Sequence, residues 1–529
     1  MSFTAIDQAR SIKFKLWVLL TSALILFGCE SGGSSGNKDV TTLETDADKL
    51  VIDQPVLQWS VCEQAPILDC ATLMVPMDYT NPSGRVISIA MARSVGNRLT
   101  NNRSLLLNPG GPGGGGIDLL RAVPRYFDVP TSVENTFDFV SFDPRGIGQS
   151  TPVDCDLNAL YTQDVYPTSP EELAQVFSAS QEFAEECVAT EGEYLQHLGS
   201  MNVVRDMDEM RKALGLSEID FLGYSYGTRL AGLYMQLFPQ KTGRFILDGS
   251  MSPEPSLELL VKGGLRPAQI NIETLAAACI GLTFSCNPRD FLTKLQNKVD
   301  EVGSGPNTSE AFQLLSVLQL ASTIPGFEVG LIGSLSDYVD TDDIASLEYL
   351  YELLGLGEAL ESEGAFNVTA YTAILCADDS TRPTIDYIES LQTSLNVESD
   401  LFAELYYANI ALCFGWPESI DPIPQIVTNQ APASLVIGGP TDAQTPLIFA
   451  QQMANAVGGQ FLYSEHDGHT TVFTGDNQCT ELATEEFLMQ GVLPTTDRCA
   501  ASGPGNSNER REVVSVSHLS RALLLNKGQ

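Results

Sequence analysis

The chain has 529 residues, 43% of them hydrophobic, and a formal net charge of −38. Such a length buries a large core and leaves room for more than one domain. A polyanion of this kind repels the phosphate backbone, which excludes nucleic acid as a partner, and its charge is that of a well-solvated surface.

At the N-terminus, Arg10, Lys13 and Lys15 precede an apolar run at 16–27. Its 12 residues are too short to span a bilayer comfortably. The run ends Leu26-Phe27-Gly28-Cys29, which resembles a bacterial lipobox, whose cysteine is lipidated and becomes the first mature residue. Residues 1–28 are therefore expected to be a lipoprotein signal peptide, and Cys29 the lipidation site of an exported protein anchored to the bacterial cell envelope. Residues 29–50, rich in Ser, Gly, Thr and Asp, read as a flexible tether from the membrane.

Setting Cys29 aside, ten cysteines remain of eleven: Cys62, Cys70, Cys155, Cys187, Cys279, Cys286, Cys376, Cys413, Cys479 and Cys499. Five pairs of sequence neighbours are the simplest arrangement in an exported chain, although spacing leaves the connectivity open. No C-x-x-C occurs and histidine is scarce, so neither a metal site nor a cofactor is expected.

Residues 56–95 hold Val75-Pro76-Met77-Asp78-Tyr79 and the alternating run 86–91, the pattern of an opening antiparallel hairpin. Residues 104–107 form a buried strand candidate running into Asn108-Pro109-Gly110-Gly111-Pro112-Gly113. The P-loop pattern G-x-x-x-x-G-K-[ST] is absent, so the glycine loop reads instead as a donor of one oxyanion N–H, assigned to Gly111. A second strand at 136–142 ends in Asp143-Pro144-Arg145-Gly146, and helical periodicity follows at 207–214.

Next, an apolar run enters Gly223-Tyr224-Ser225-Tyr226-Gly227, and Leu230, Leu233, Tyr234, Leu237 and Phe238 continue with helical spacing. Strand, sharp turn and helix are the setting of a nucleophile elbow, with Ser225 as nucleophile and the Tyr226 N–H as the second oxyanion donor. A second G-x-S-x-G, at 32–36, lies in a Gly-Ser run with neither element around it. A strand at 244–247 closes with Asp248-Gly249. From 251 to 425 helical patches dominate and read as a lid over the catalytic end of the sheet. Strand character returns at 435–437, before Gly439-Pro440-Thr441-Asp442, and at 460–463, before His466-Asp467-Gly468-His469.

A serine hydroxyl needs a base, most often imidazole. Of four histidines, His518 lies in a polar tail and His197 precedes the elbow; His466 and His469 follow the last strand, where the base belongs. His469, after a glycine, is assigned as the base and His466 as a loop residue. Asp442, at the end of the penultimate strand, is assigned as the supporting acid, with Asp248 the runner-up, read as a loop cap.

Together these motifs, with Leu247-Asp248-Gly249 and the C-terminal Cys479, Gly491-Val492-Leu493-Pro494 and Cys499, resemble the secreted tripeptidyl-aminopeptidase group of α/β-hydrolases, related to proline iminopeptidases, over about 59–500. The group's usual Thr-Leu-Asp-x-x-Thr-Pro is here Pro440-Thr441-Asp442-Ala443-Gln444-Thr445-Pro446. The resemblance implies an α/β-hydrolase fold, a mostly parallel, doubly wound sheet with a large, mainly helical lid. It divides the chain into a core at 51–250, the lid at 251–425, a TAP-like part of the core at 426–500 and a polar tail at 501–529. It further implies an exopeptidase cutting short peptides from free N-termini. That chemistry calls for carboxylates that grip an ammonium, and Cys376-Ala377-Asp378-Asp379 is a candidate stretch. A carboxylesterase or lipase on the same fold is the alternative, since fold does not fix substrate; a non-catalytic binding lipoprotein is disfavoured by the complete set Ser225, Asp442 and His469.

Overall fold

The structure, a computed structural model, describes residues 57–94, 103–161, 167, 169–278, 287–303, 308–322, 328–353, 367–399, 401–403 and 411–501. The expected signal peptide, Cys29, the tether, Cys279, Cys286 and the tail beyond 501 with His518 lie outside the described residues.

Ten described strands form one sheet: β1 (Ser60–Cys62), β2 (Ala65–Pro76), β3 (Val86–Ser94), β4 (Arg103–Asn108), β5 (Phe137–Phe142), β6 (Ile219–Tyr224), β7 (Thr242–Asp248), β8 (Leu435–Gly438), β9 (Gln460–Ser464) and β10 (Arg498–Cys499). The spatial order is β1-β2-β3-β5-β4-β6-β7-β8-β9-β10. The pairs β1–β2, β2–β3 and β3–β5 are antiparallel, and every pair from β5 to β10 is parallel.

The two kinds of strand differ in sequence for a physical reason. β2 alternates buried and exposed residues because part of it faces water, whereas all six residues of β6 are buried because helices cover both of its faces. Successive side chains along the parallel strands supply opposite cores. Leu106, Phe221, Leu247 and Val436 join one core, with Met207, Leu233 and Phe449 from helices Ser200–Ala213, Tyr226–Leu237 and Leu447–Val457. Leu105, Leu107, Leu222 and Ile246 join the other, with Leu120 and Phe487 from helices Gly116–Tyr126 and Gln478–Gln490.

Between β7 and β8 the chain is helical, from Leu257–Ala278 through Val368–Asp378 to Ile385–Glu398. Apart from Val368–Asp378, whose Tyr371, Ile374 and Leu375 join the first core, these helices bury a third core of their own, including Leu265, Leu295, Leu315, Leu335 and Leu395. Helix Pro170–Glu191, between β5 and β6, adds Leu173, Val176 and Phe177 to it. Its start is a capping box, with Glu172 N–H donating to Ser169 Oγ (3.2 Å) and Ser169 N–H to the Glu172 carboxylate (3.0 Å). The helical layer therefore draws on both sides of the elbow, and not on 251–425 alone. No described helix is long and apolar enough to cross a membrane.

Cross-links follow sequence neighbours wherever both cysteines are described: Cys62–Cys70, Cys155–Cys187, Cys376–Cys413 and Cys479–Cys499. Two early motifs meet at Arg145, which is fully buried and bidentate to Asp206 (2.8 and 2.6 Å). Its remaining N–H groups reach the Met77 and His197 carbonyls (2.9 and 2.8 Å), and Tyr79 donates to Asp206 (2.7 Å). The charge is thus both paired and fully hydrogen-bonded, as a buried ion pair must be.

Candidate active site

β6 delivers Ser225 into a turn with φ 54° and ψ −122°, a conformation that non-glycine residues rarely hold. The flanking glycines are a steric necessity. A Cβ on Gly223 would lie 2.5 Å from the Gly227 carbonyl, and one on Gly227 would lie 2.9 Å from Asn108 Oδ1. The turn is held from both sides: Ser225 N–H donates to the Asp248 carbonyl (2.9 Å), and Thr228 Oγ1 donates to the Ser225 carbonyl (2.6 Å). Helix Tyr226–Leu237 starts at once, so its N-terminal N–H groups and positive dipole end face the serine.

The glycine loop comes from β4. Gly110 (φ 95°) presses on the elbow so closely that a Cβ there would lie 2.8 Å from Ser225 Cβ and 3.3 Å from Tyr226 N. Gly110 N–H is committed to Asn108 Oδ1 (3.0 Å). Gly111 follows with φ 108°. The loop is anchored through Asp143, which accepts from Ile117 N–H (3.0 Å) and Gln149 N–H (2.9 Å).

The C-terminal strands bring the remaining groups. His469 Nδ1 lies 2.8 Å from Asp442 Oδ2 and 3.2 Å from Thr445 Oγ1. Asp442 is almost wholly buried, and its other oxygen accepts from the Gln444 and Thr445 N–H groups (2.9 and 2.8 Å). Thr445 Oγ1 donates to Asp442 Oδ2 (2.8 Å). The imidazole packs on Gly249, where a Cβ would lie 2.8 Å from His469 Cε1. Gly249 directly follows Asp248, whose carbonyl holds Ser225, so ring and nucleophile flank the same two residues of β7's end. Ser225 Oγ and His469 Nε2 are both buried, and neither has a hydrogen-bond partner among the described residues. Buried polar atoms are rarely left so, and catalytic hydrogen bonds commonly tighten only with substrate bound.

Asp248 occupies a supporting position. One of its oxygens accepts from Thr471 N–H (2.8 Å) and Val472 N–H (2.7 Å), which fixes the loop carrying His469. Glu481 fixes the next turn by accepting from Phe473 and Gly475 N–H (2.9 and 3.1 Å). His466 packs its ring on Gly439, with Nδ1 3.1 Å from the Ser464 carbonyl; burial lowers its pKa to about 4 and keeps it neutral. His197 is buried, its carbonyl committed to Arg145. Of the sequence candidates, the structure gathers Ser225, Tyr226, Gly111, Asp442 and His469 at the ends of β4, β6, β8 and β9. Thr445 went unassigned in the sequence, although its place three residues after Asp442 is that of a side chain closing a turn on an acid.

Burial raises the carboxyl pKa values of Asp143, Asp248 and Asp378 to about 6 and that of Glu481 to about 7. For these groups the folded state binds more protons than the unfolded one, so their contribution to stability is full at the acid end and is lost as pH rises. His466 and His197, whose pKa values burial lowers, act in the opposite sense. Four raised carboxyls outweigh two histidines, so the melting temperature should fall as pH rises from about 4.5 to about 7.5. A thermal melt across that range checks this, and a steady rise would contradict it.

The fold and this arrangement define the class: the protein is an α/β hydrolase of the serine type. The α/β hydrolase fold family matches residues 103–275, and the TAP-like protein family matches residues 399–500. The chain is 28% identical over 526 residues to serine protease Hip1 of Mycobacterium tuberculosis, spanning 90% of this chain and 96% of that protein. It is 27% identical over 451 residues to a tripeptidyl aminopeptidase of Streptomyces lividans, spanning 81% and 83%. It is also 28% identical over 524 residues to carboxylesterase B of Mycobacterium tuberculosis, spanning 91% and 98%.

Proposed function

We propose that the protein is a serine exopeptidase that releases short peptides from free N-termini through Ser225, His469 and Asp442. The observation that carries the reading is the 2.8 Å contact between His469 Nδ1 and the buried Asp442 carboxylate, on a ring packed against the residue pair that holds the nucleophile turn. Asp442 accepts the Nδ1–H, which leaves Nε2 as the acceptor for the Ser225 proton. Ser225 Oγ attacks the scissile carbonyl carbon, its proton passes to Nε2, and the carbonyl oxygen becomes an oxyanion facing the Tyr226 and Gly111 N–H groups. Collapse breaks the C–N bond, and His469 returns the proton to the departing amine. Water, deprotonated by the same imidazole, then cleaves the acyl-enzyme and restores the serine.

The peptidase reading draws on the relatives named serine protease and tripeptidyl aminopeptidase. The relative named carboxylesterase favours a second reading, an esterase on the same site. Purified protein should release arylamine from tripeptidyl arylamides with a free α-amino group at least about 10²-fold faster than from the N-acetylated forms. Equal rates on blocked peptides would remove the exopeptidase, and turnover of p-nitrophenyl esters alone would leave the esterase. The partner is thus a peptide with a free N-terminus.

The cell envelope is the proposed location, with Cys29 as the lipid anchor; the lipobox-like Leu26-Phe27-Gly28-Cys29 supports this. Cys29→Ser should move the protein from the membrane fraction to the soluble one, and unchanged fractionation would overturn the anchor.

A further inference from the structure

One lid helix is linked to both halves of the proposed oxyanion hole, to the glycine loop at Gly113 and to Tyr226 through Ser200. Helix Val368–Asp378 begins at Asn367, whose side chain caps it by accepting from Ala370 N–H (2.8 Å). Asn367 N–H donates to the carbonyl of Gly113 in the glycine loop (3.4 Å), and its Nδ2 donates to the Val153 carbonyl (2.7 Å) and the Gly146 carbonyl (3.4 Å). The helix start is thus fastened to the glycine loop and to the turn after β5.

The far end reaches the other donor. Asp378 is 3% exposed and accepts from Ser200 N–H (2.6 Å) and from Ser200 Oγ (2.6 Å). Ser200 Oγ lies 2.5 Å from the Tyr226 hydroxyl. Because the carboxylate can only accept, Ser200 gives it its proton, and the Tyr226 hydroxyl must donate to Ser200. The relay runs one way, from Tyr226 to Ser200 to Asp378. The lid side of Asp378 is stiff: its carbonyl accepts from Ile423 N–H (3.0 Å), Arg382 donates to the Cys376 carbonyl (2.9 Å), and Cys376 is cross-linked to Cys413.

We propose that Asp378 is a positioning residue for catalysis: through Ser200 it fixes the ring of Tyr226, and so the N–H that receives the oxyanion. This rests on the reading of Ser225 as nucleophile. Tyr226 directly follows the strained turn at Ser225, and such a conformation persists only where the surrounding contacts hold it. The charged groups facing Asp378 are Arg229 from the elbow helix and Asp379 on its own segment. Arg229 is buried and makes no ion pair or hydrogen bond among the described residues, so its charge favours ionised Asp378 across a gap.

The test is a double-mutant cycle on the full chain with one arylamide substrate. Asp378→Asn cannot accept from Ser200 as the carboxylate does, and Tyr226→Phe removes only the hydroxyl. Each should lower kcat by about 10- to 100-fold with KM changed less than about twofold, the size expected for a displaced catalytic group. The double variant should be no slower than the slower single. Additive losses, a change confined to KM, or an unchanged kcat would overturn the proposal. Should Asp378→Asn fail to fold, Ser200→Ala replaces it in the same cycle with the same outcomes. Failure of the nucleophile reading is distinguishable, because Ser225→Ala would then stay active; an inactive Ser225→Ala beside an unaltered Asp378→Asn overturns the positioning role alone.

Discussion

Ser225→Ala should lower kcat by about 10⁴-fold or more on every substrate the enzyme accepts, since a triad without its nucleophile keeps only the help of binding and oxyanion groups. The fold should not suffer. Ser225 Oγ is buried and makes no hydrogen bond among the described residues, so its removal leaves no partner unsatisfied. The strained backbone at φ 54° is set by the Asp248 and Thr228 contacts, which alanine keeps. The melting temperature should therefore match the parent's or rise slightly, and kinetics with a thermal melt on the same preparation checks both. Activity within about tenfold of the parent would remove Ser225 from the mechanism.

Asp442→Asn should cost about 10⁴-fold in kcat for a different reason, the wrong imidazole tautomer. Asn can still accept from the Gln444 and Thr445 N–H groups, but an amide N–H₂ opposite His469 Nδ1 cannot accept its proton. The ring answers by holding its proton on Nε2, where it can no longer take one from serine. Asp248→Asn discriminates between the two acids. Asp248 meets the backbone of Thr471 and Val472, so its replacement should act through the placement of the histidine loop and cost stability as well as rate. A severe loss in Asp248→Asn beside a near-normal Asp442→Asn would reverse the assignment. The kinetics of both variants on one arylamide check this.

The candidate site was legible because each of its residues lies next to punctuation. Ser225 stands between two glycines after an apolar strand, Asp442 follows Gly438-Gly439-Pro440, and His469 follows Gly468 in a chain with four histidines. The strands at 104–107, 136–142, 435–437 and 460–463 showed as short apolar runs because helices cover both faces of a parallel sheet. The two-residue strand β10 carries no periodicity, and only the cross-link from Cys479 to Cys499 marks its place. The share of helix Pro170–Glu191 in the lid was not legible, because an amphipathic face does not say which core it enters. The supporting roles of Ser200, Asp378 and Glu481 were hidden because the value of each lies in a partner 6 to 178 positions away, and only folding brings the pair together.

The central claim is that Ser225 is a nucleophile activated by His469. Its most direct test is to treat the purified protein with a fluorophosphonate, which phosphonylates an activated serine hydroxyl, and to locate the adduct by peptide mass spectrometry. The account predicts one adduct, on Ser225, formed at least about 10²-fold more slowly in His469→Ala. An adduct on another residue, or labelling of Ser225 at the parent's rate without the imidazole, would contradict it.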